Sequence, residues 1–251
     1  MRSVPTIARR ELASYFYSPL AYVILTLFLL VQGFSFWTFV QFLSQPNAPH
    51  GAVLQFFFGG TFLYWMFLIF VVATMTMRLV AEERRTGTIE TLMTCPVTDA
   101  DVVLGKYIGA LLFYAFLWAP TVAYVFLLRA HSPDGQGPEI GPVVSGYLWT
   151  LLMGATFTAI GLFASTLTRN QIIAAVLAFV FQALLLLLGI LEVFVQDPSW
   201  RDGFAYVSLF SHMEDFGKGI VDSRRIVFHL SLVVLFLFAS VRVLEAKRGE
   251  S

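Results

Sequence analysis

Cysteine is nearly absent. Cys95 stands alone in 251 residues, so no disulfide closes within the chain, and a single thiol lacks the companions of a metal or catalytic site. Charge is scarce as well, at 13% of residues with a net charge of zero, against about a quarter charged in ordinary soluble domains. A nucleic-acid partner would call for a basic patch or stripe, and a balanced, charge-poor chain offers none. A phosphate loop is missing too. The pair Gly105-Lys106 is followed by Tyr107, and Ala100 stands where GxxxxGK[ST] requires its first glycine. The chain is therefore not expected to hydrolyse ATP by that route, and no cofactor is expected in it.

What fills the space is apolar. Hydrophobic residues make up 58% of the chain and phenylalanine alone occurs 26 times, more than a soluble fold of this size can hide. Six runs are long enough at about 1.5 Å per residue to cross a hydrocarbon layer about 30 Å thick. They cover 20–42, 56–80, 102–128, 142–167, 172–195 and 226–244. The first exceeds the apolar core of a signal peptide and reads as a retained anchor. Only Thr168, Arg169, Asn170 and Gln171 separate the fourth and fifth runs, which forces an antiparallel hairpin. The sequence predicts an all-α integral membrane protein of one transmembrane domain.

Six spans put both termini on one side. Eleven of the 16 Lys and Arg residues fall on that side, including Arg2, Arg9, Arg10, Arg84, Arg85, Lys247 and Arg248, and five on the other. The positive-inside rule then predicts a multi-pass protein of the cytoplasmic (inner) membrane with cytoplasmic N- and C-termini.

Three segments outside the spans have a pattern of their own. Over 1–19, Val4, Ile7, Ala8, Leu12, Tyr15 and Phe16 recur at helical spacing with Arg9, Arg10 and Glu11 turned elsewhere, which predicts an amphipathic helix in the membrane interface. Over 82–98, charge clusters at Glu82, Glu83, Arg84 and Arg85, while Ile89, Leu92 and Met93 form one apolar stripe. Pro96 ends that helix, and Thr98 with Asp101 fits a capping box opening the third span. Over 196–225, Leu209, Met213, Phe216 and Ile220 are spaced as the apolar face of an external amphipathic segment, with Glu214, Asp215 and Lys218 between them. His212, Glu214 and Asp215 are its candidate contacts for cargo or an external partner. The aromatics Phe34, Phe36, Trp37, Phe57, Phe58, Tyr64 and Trp65 are candidate path-lining residues, with packing and lipid contact as the alternative. The centres of the six runs contain no Asp, Glu, Lys, Arg or His. Ion-coupled carriers place such groups there, so energy is expected from a partner.

The segment at 82–98 strongly resembles the ABC-2 family of transporter permeases, in which E-(E/K)-R-x-x-G-T-(I/L)-E-x-L-x-x-x-P precedes a Gly-Lys in the next span. Glu83, Arg84, Gly87, Thr88, Ile89, Glu90, Leu92, Pro96, Gly105 and Lys106 stand at those positions. A narrower likeness, to the gliding-motility-associated branch, rests on 10–22 and 210–224. The resemblance implies that the N-terminal helix is an elbow helix. It also implies that Glu82, Glu83, Arg84, Arg85, Thr86, Gly87, Thr88, Ile89, Glu90, Leu92 and Pro96 belong to a coupling helix that docks on a separate ATPase subunit carrying ATP and Mg. A second permease copy or paralogue is the other implied partner, with an auxiliary membrane or periplasmic protein as a further candidate. The expected function is the permease subunit of an ATP-driven exporter of an unidentified substrate, with lipid-like or polymeric cargo as candidates. The alternative is a membrane anchor that transmits force without moving cargo.

Overall fold

A computed structural model describes residues 3–43, 57–59, 62–87, 97–131, 139–195 and 197–248. Every regular element among them is helical: α1 (Ser3–Phe16), α2 (Pro19–Leu43), α3 (Phe62–Thr76), α4 (Ala81–Thr86), α5 (Asp99–Trp118), α6 (Val122–His131), α7 (Ile140–Leu167), α8 (Gln171–Phe194), α9 (Pro198–Val207), α10 (Leu209–Gly217) and α11 (Ser223–Arg248). A chain in lipid must satisfy its backbone polar groups internally, and helices do so within one segment.

Six helical stretches are long and apolar enough to cross a membrane: Pro19–Gln41, Tyr64–Thr86, Asp99–Ala130, Ile140–Leu167, Gln171–Phe194 and Ser223–Lys247. The second and fourth are the inner pair, 67% and 78% buried, and the other four turn most of their surface outward. The third is not one continuous α-helix. Pro120 has no N–H to donate, and at Ala119–Thr121 the ladder tightens to a 3-10 turn between α5 and α6.

Local chemistry sets several ends. Thr98 and Asp101 form the capping box expected at the start of α5, with Thr98 Oγ1 accepting from the Asp101 amide at 3.1 Å and Asp101 Oδ2 accepting from the Thr98 amide at 3.3 Å. Asn170 Oδ1 accepts from the Ile172 amide at 2.9 Å and so opens α8 directly after the tight link from α7.

Aromatic rings fill the centre. Trp65 and Trp149 are fully buried 6.2 Å apart, and Trp65 Nε1 donates to the Gly59 carbonyl at 2.7 Å. The candidate path-lining aromatics divide accordingly. Phe57, Phe58, Tyr64 and Trp65 are core residues, and Phe34 and Trp37 are more than half exposed on α2.

Candidate functional site

The strongest convergence of polar groups lies where α1, α4, the start of α5 and the ends of α7 and α11 meet. Small residues bring α1 and α5 together. A Cβ at Gly105 would stand 2.6 Å from Ile7 Cβ, and one at Gly109 would stand 2.7 Å from Glu11 Cβ and 2.9 Å from the Ala8 carbonyl. Glycines four residues apart thus let α1 press its backbone onto α5, the small-xxx-small packing of membrane helices. Ala8 and Tyr15 are buried by this contact. Tyr15 stacks on Phe113 at 4.4 Å, and its hydroxyl donates to the Met75 carbonyl at 2.7 Å. Burial first, then the nearby Glu11, raises the Tyr15 phenol well above its ordinary range, so it remains a donor.

Lys106, between those glycines, is 2% exposed. Its Nζ lies 3.0 Å from Glu11 Oε2 and 2.9 Å from Glu83 Oε1. One ammonium therefore ties the N-terminal helix, the third span and α4 at a single point. Glu11 is not turned away from the bundle, as the helical period alone suggested, because a buried ammonium one turn from Gly109 demands its carboxylate.

Serine and arginine attach α4 to the fourth span. Ser165 Oγ accepts from the amides of Val80 and Ala81, each at 3.0 Å, and donates to the Met77 carbonyl at 3.1 Å. A side chain of α7 thereby satisfies first-turn amides of α4 that have no partner within their own helix. Arg84 Nη1 returns the contact, donating to the Thr166 carbonyl at 2.8 Å. Lys247 at the end of α11 donates to the Thr166 and Leu167 carbonyls, both at 3.0 Å, so two cations cover the carbonyl end of α7. Arg78, in the turn before α4, donates to Ser18 Oγ at 2.8 Å between α1 and α2.

A crevice of about 250 Å³ remains between α1 and α4, lined by Arg10, Ser14, Arg78, Glu82 and the Lys106 cluster. Arg85 and Thr86 are exposed, and Gly87 closes α4 with a φ of 73°, a left-handed conformation that glycine adopts without strain. Of the residues expected to couple, Glu82 to Gly87 are thus placed, whereas Thr88, Ile89, Glu90, Leu92 and Pro96 lie outside the described residues. Lys106 stood in the motif without a role, and Glu11, Ser165, Thr166 and Lys247 were not anticipated. Lys106 carried a readable signal, since a cation inside an apolar run needs a partner. Small hydroxyls such as Ser165 carry none, because they usually bond within their own helix.

The candidates of the other end divide. Glu214 is exposed and lies 3.8 Å from Lys218, and Asp215 pairs with Arg225 at the start of α11. His212 is fully buried. The segment is two helices, α9 and α10, joined at Ser208, and α10 buries Leu209, Met213 and Phe216, while Ile220 lies beyond its end, 54% exposed.

The family described as ABC-2 family transporter protein matches residues 38–214, a stretch that holds α4, Lys106, Ser165 and Thr166. The chain belongs to the ABC-2 family. The probable multidrug ABC transporter permease YbhR of Escherichia coli (strain K12) is 28% identical over 142 residues, and the protein of the same name from Escherichia coli O157:H7 matches equally. Each match covers 56% of this chain but 37% of the relative's length. Nothing in these matches supports the gliding-motility-associated branch. For this ABC-2 chain, a multi-pass bundle with a wired α4 is the feature a functional reading has to use.

Proposed function

We propose that the chain is the membrane-spanning subunit of an ATP-driven ABC exporter, and that α4 with the residues after it receives the movement of a separate ATPase subunit. The observation that carries this is the attachment of α4. A short helix held only by its neighbours in sequence would absorb a push in its own linkers. Here, a displacement of α4 pulls on Ser165 and Thr166 of the fourth span and, through Glu83, on Lys106 of the third span and Glu11 of the elbow helix. Packed elements joined this way move as units rather than deform, which is the requirement for a lever.

The ATPase supplies ATP and Mg, a second permease copy or paralogue completes the path, and both termini face the cytoplasm, where an ATPase can reach α4. The finer reading of the cargo begins with drug compounds, because the E. coli relative carries a probable multidrug name.

The test is reconstitution with the cognate ATPase in lipid vesicles. Charge reversal at Glu90 should weaken ATPase binding. Lys106→Met should leave binding intact and reduce cargo-stimulated ATP hydrolysis and transport, because it severs the lever behind the contact. If both variants transported like the unmodified chain, the coupling role of this node would be refuted. An ATPase that bound and turned over without any cargo movement would favour the anchor instead.

A further inference from the structure

The end of the bundle away from α4 holds two imidazoles that the coupling reading does not use. His212 on α10 and His229 on α11 are both fully buried. Trp149 of α7 stands edge-on to both rings, at 6.1 and 5.3 Å between centroids, and Phe228 packs on His212 at 5.4 Å. Three contacts join them into a chain: Thr156 Oγ1 to His229 Nδ1 at 2.8 Å, His229 Nε2 to His212 Nδ1 at 3.4 Å, and His212 Nε2 to the Tyr206 carbonyl at 3.1 Å. The chain crosses α7, α11, α10 and α9.

The carbonyl fixes the direction of the protons, because it can only accept. His212 Nε2 must donate to it, so in a neutral His212 the Nδ1 atom accepts. His229 Nε2 then donates, His229 Nδ1 accepts, and the Thr156 hydroxyl donates, turning from the Leu152 carbonyl that it also reaches at 3.0 Å. Three contacts use three protons with no charge anywhere. An added proton enters at His229 Nδ1, after which Thr156 turns back to Leu152, and the proton shared between His229 Nε2 and His212 Nδ1 lets either ring carry the charge. No hydrogen bond is lost, but a full charge then sits among aromatic rings, which desolvation opposes.

The surrounding groups reinforce this. Arg225 of α11 faces the pair as a like charge, with Asp215 of α10 and Asp222 before α11 partly offsetting it. Glu192 of α8 accepts from Ser211 Oγ at 2.8 Å. From α7 come only Thr156 and Trp149, and α9 presents Tyr206, its Arg201 and Asp202 being exposed. Burial first, and Arg225 second, push His212 from its ordinary 6.5 down to about 4. α10 itself is nine residues bracketed by breaks, at Ser208 and at Gly219 with a φ of 85°, and Ser145 of α7, Glu192 of α8 and Arg225 of α11 also hold it.

We propose that the His212–His229 pair is a proton-binding latch, which holds α10 against α7 and α11 while neutral and releases it on taking up a proton. The latch needs no partner, and rests on the exporter reading only for its purpose, which is to gate the path at that end. The direction follows from linkage. A histidine at about 4 when closed and 6.5 in water favours the closed form fully above pH 6.5, and that preference fades as pH falls toward 4. From His212 alone, the open-to-closed ratio rises about 30-fold between pH 7.5 and 5.

The experiment places spin labels at Glu214→Cys on α10 and Ile140→Cys on α7, in the purified full-length chain with Cys95→Ser. Distance distributions are recorded by electron resonance from pH 7.5 to 5. A longer distance should grow in as pH falls, with its midpoint between 4 and 6.5, and His212→Asn with His229→Asn should abolish the response. A distribution that does not change over this range, or one that still shifts in the double variant, overturns the latch. Should that variant not fold, histidine NMR of the native chain decides. Two of the four histidines must take up protons in the same step as the distance change, and four independent titrations near 6.5 without such a step overturn it. Because no ATPase is present, failure here leaves the exporter reading untouched.

Discussion

Lys106 shows what one residue does in this chain. Its side chain is 3% exposed, against 15% for Glu11 and 18% for Glu83, so the cation is dry, and Glu83 Oε2 is buried beside it. Removing one partner from a buried ion cluster leaves uncompensated charge, at a cost of about 3–5 kcal/mol. Here the Glu11 side chain is partly exposed and can take up water, and we expect Lys106→Met to lower stability by ~2–3 kcal/mol. Thermal inactivation of the detergent-solubilised chain reads this out. Adding Glu11→Gln and Glu83→Gln should restore most of the loss, since the neutral cluster has no charge left to compensate. A Lys106→Met chain as stable as the original would mean that the cluster has no structural weight. Gly109 gives a second case. Gly109→Ala puts a methyl group within 2.9 Å of a carbonyl oxygen, and α1 must retreat at a cost of ~1–3 kcal/mol. Gly203→Ala meets nothing within 4 Å and should be neutral or stabilising by up to ~1 kcal/mol, since alanine is the better helix former. Both are measured by the same assay.

At the scale of elements, α4 is six residues long, too short to persist on its own propensity. Its order comes from Ser165, whose oxygen serves two amides and a carbonyl at once. Ser165→Ala should therefore cost ~1–3 kcal/mol through unsatisfied backbone groups, and hydrogen exchange should accelerate at Val80 and Ala81 while the centre of α7 stays protected. Unchanged exchange at those two amides would show that α4 is held elsewhere. The long helices were legible from hydropathy because lipid leaves the chain no other way to span. The same period could not reveal what covers a face: Leu209, Met213 and Phe216 spell one apolar stripe whether lipid or protein lies against it, and the answer is α7, α8 and α11. Nor could charge placement along the sequence show depth. The run centres lack histidine, yet His212 enters from a loop and, with His229, reaches Thr156 near the middle of α7. The fold class was written in composition, whereas the Lys106 node joins residues up to 95 positions apart, which no local spacing encodes.

For the whole molecule, the proposed lever and the proposed latch lie apart on a bundle of an inner pair and four outer spans. The end with α4 is stitched by Lys106, Ser165, Arg84 and Lys247 across α1 and the second, third, fourth and sixth spans. The other end rests on a short helix between breaks. A lever at one end and a latch at the other, as proposed, would suit alternating exposure of a path, provided that the stitched end faces ATP. That condition is open to direct measurement in a Cys95→Ser chain. Thr86→Cys, exposed at the end of α4, should react with a membrane-impermeant maleimide only in inverted vesicles. Ser223→Cys, exposed at the start of α11, should react in intact cells. The Lys and Arg distribution argues for this orientation, because each positive residue near a short loop resists translocation. The reverse labelling would put α4 and the Lys106 node outside, beyond the reach of any ATP-hydrolysing partner, and the exporter reading would fall with it even if every contact in the bundle were right.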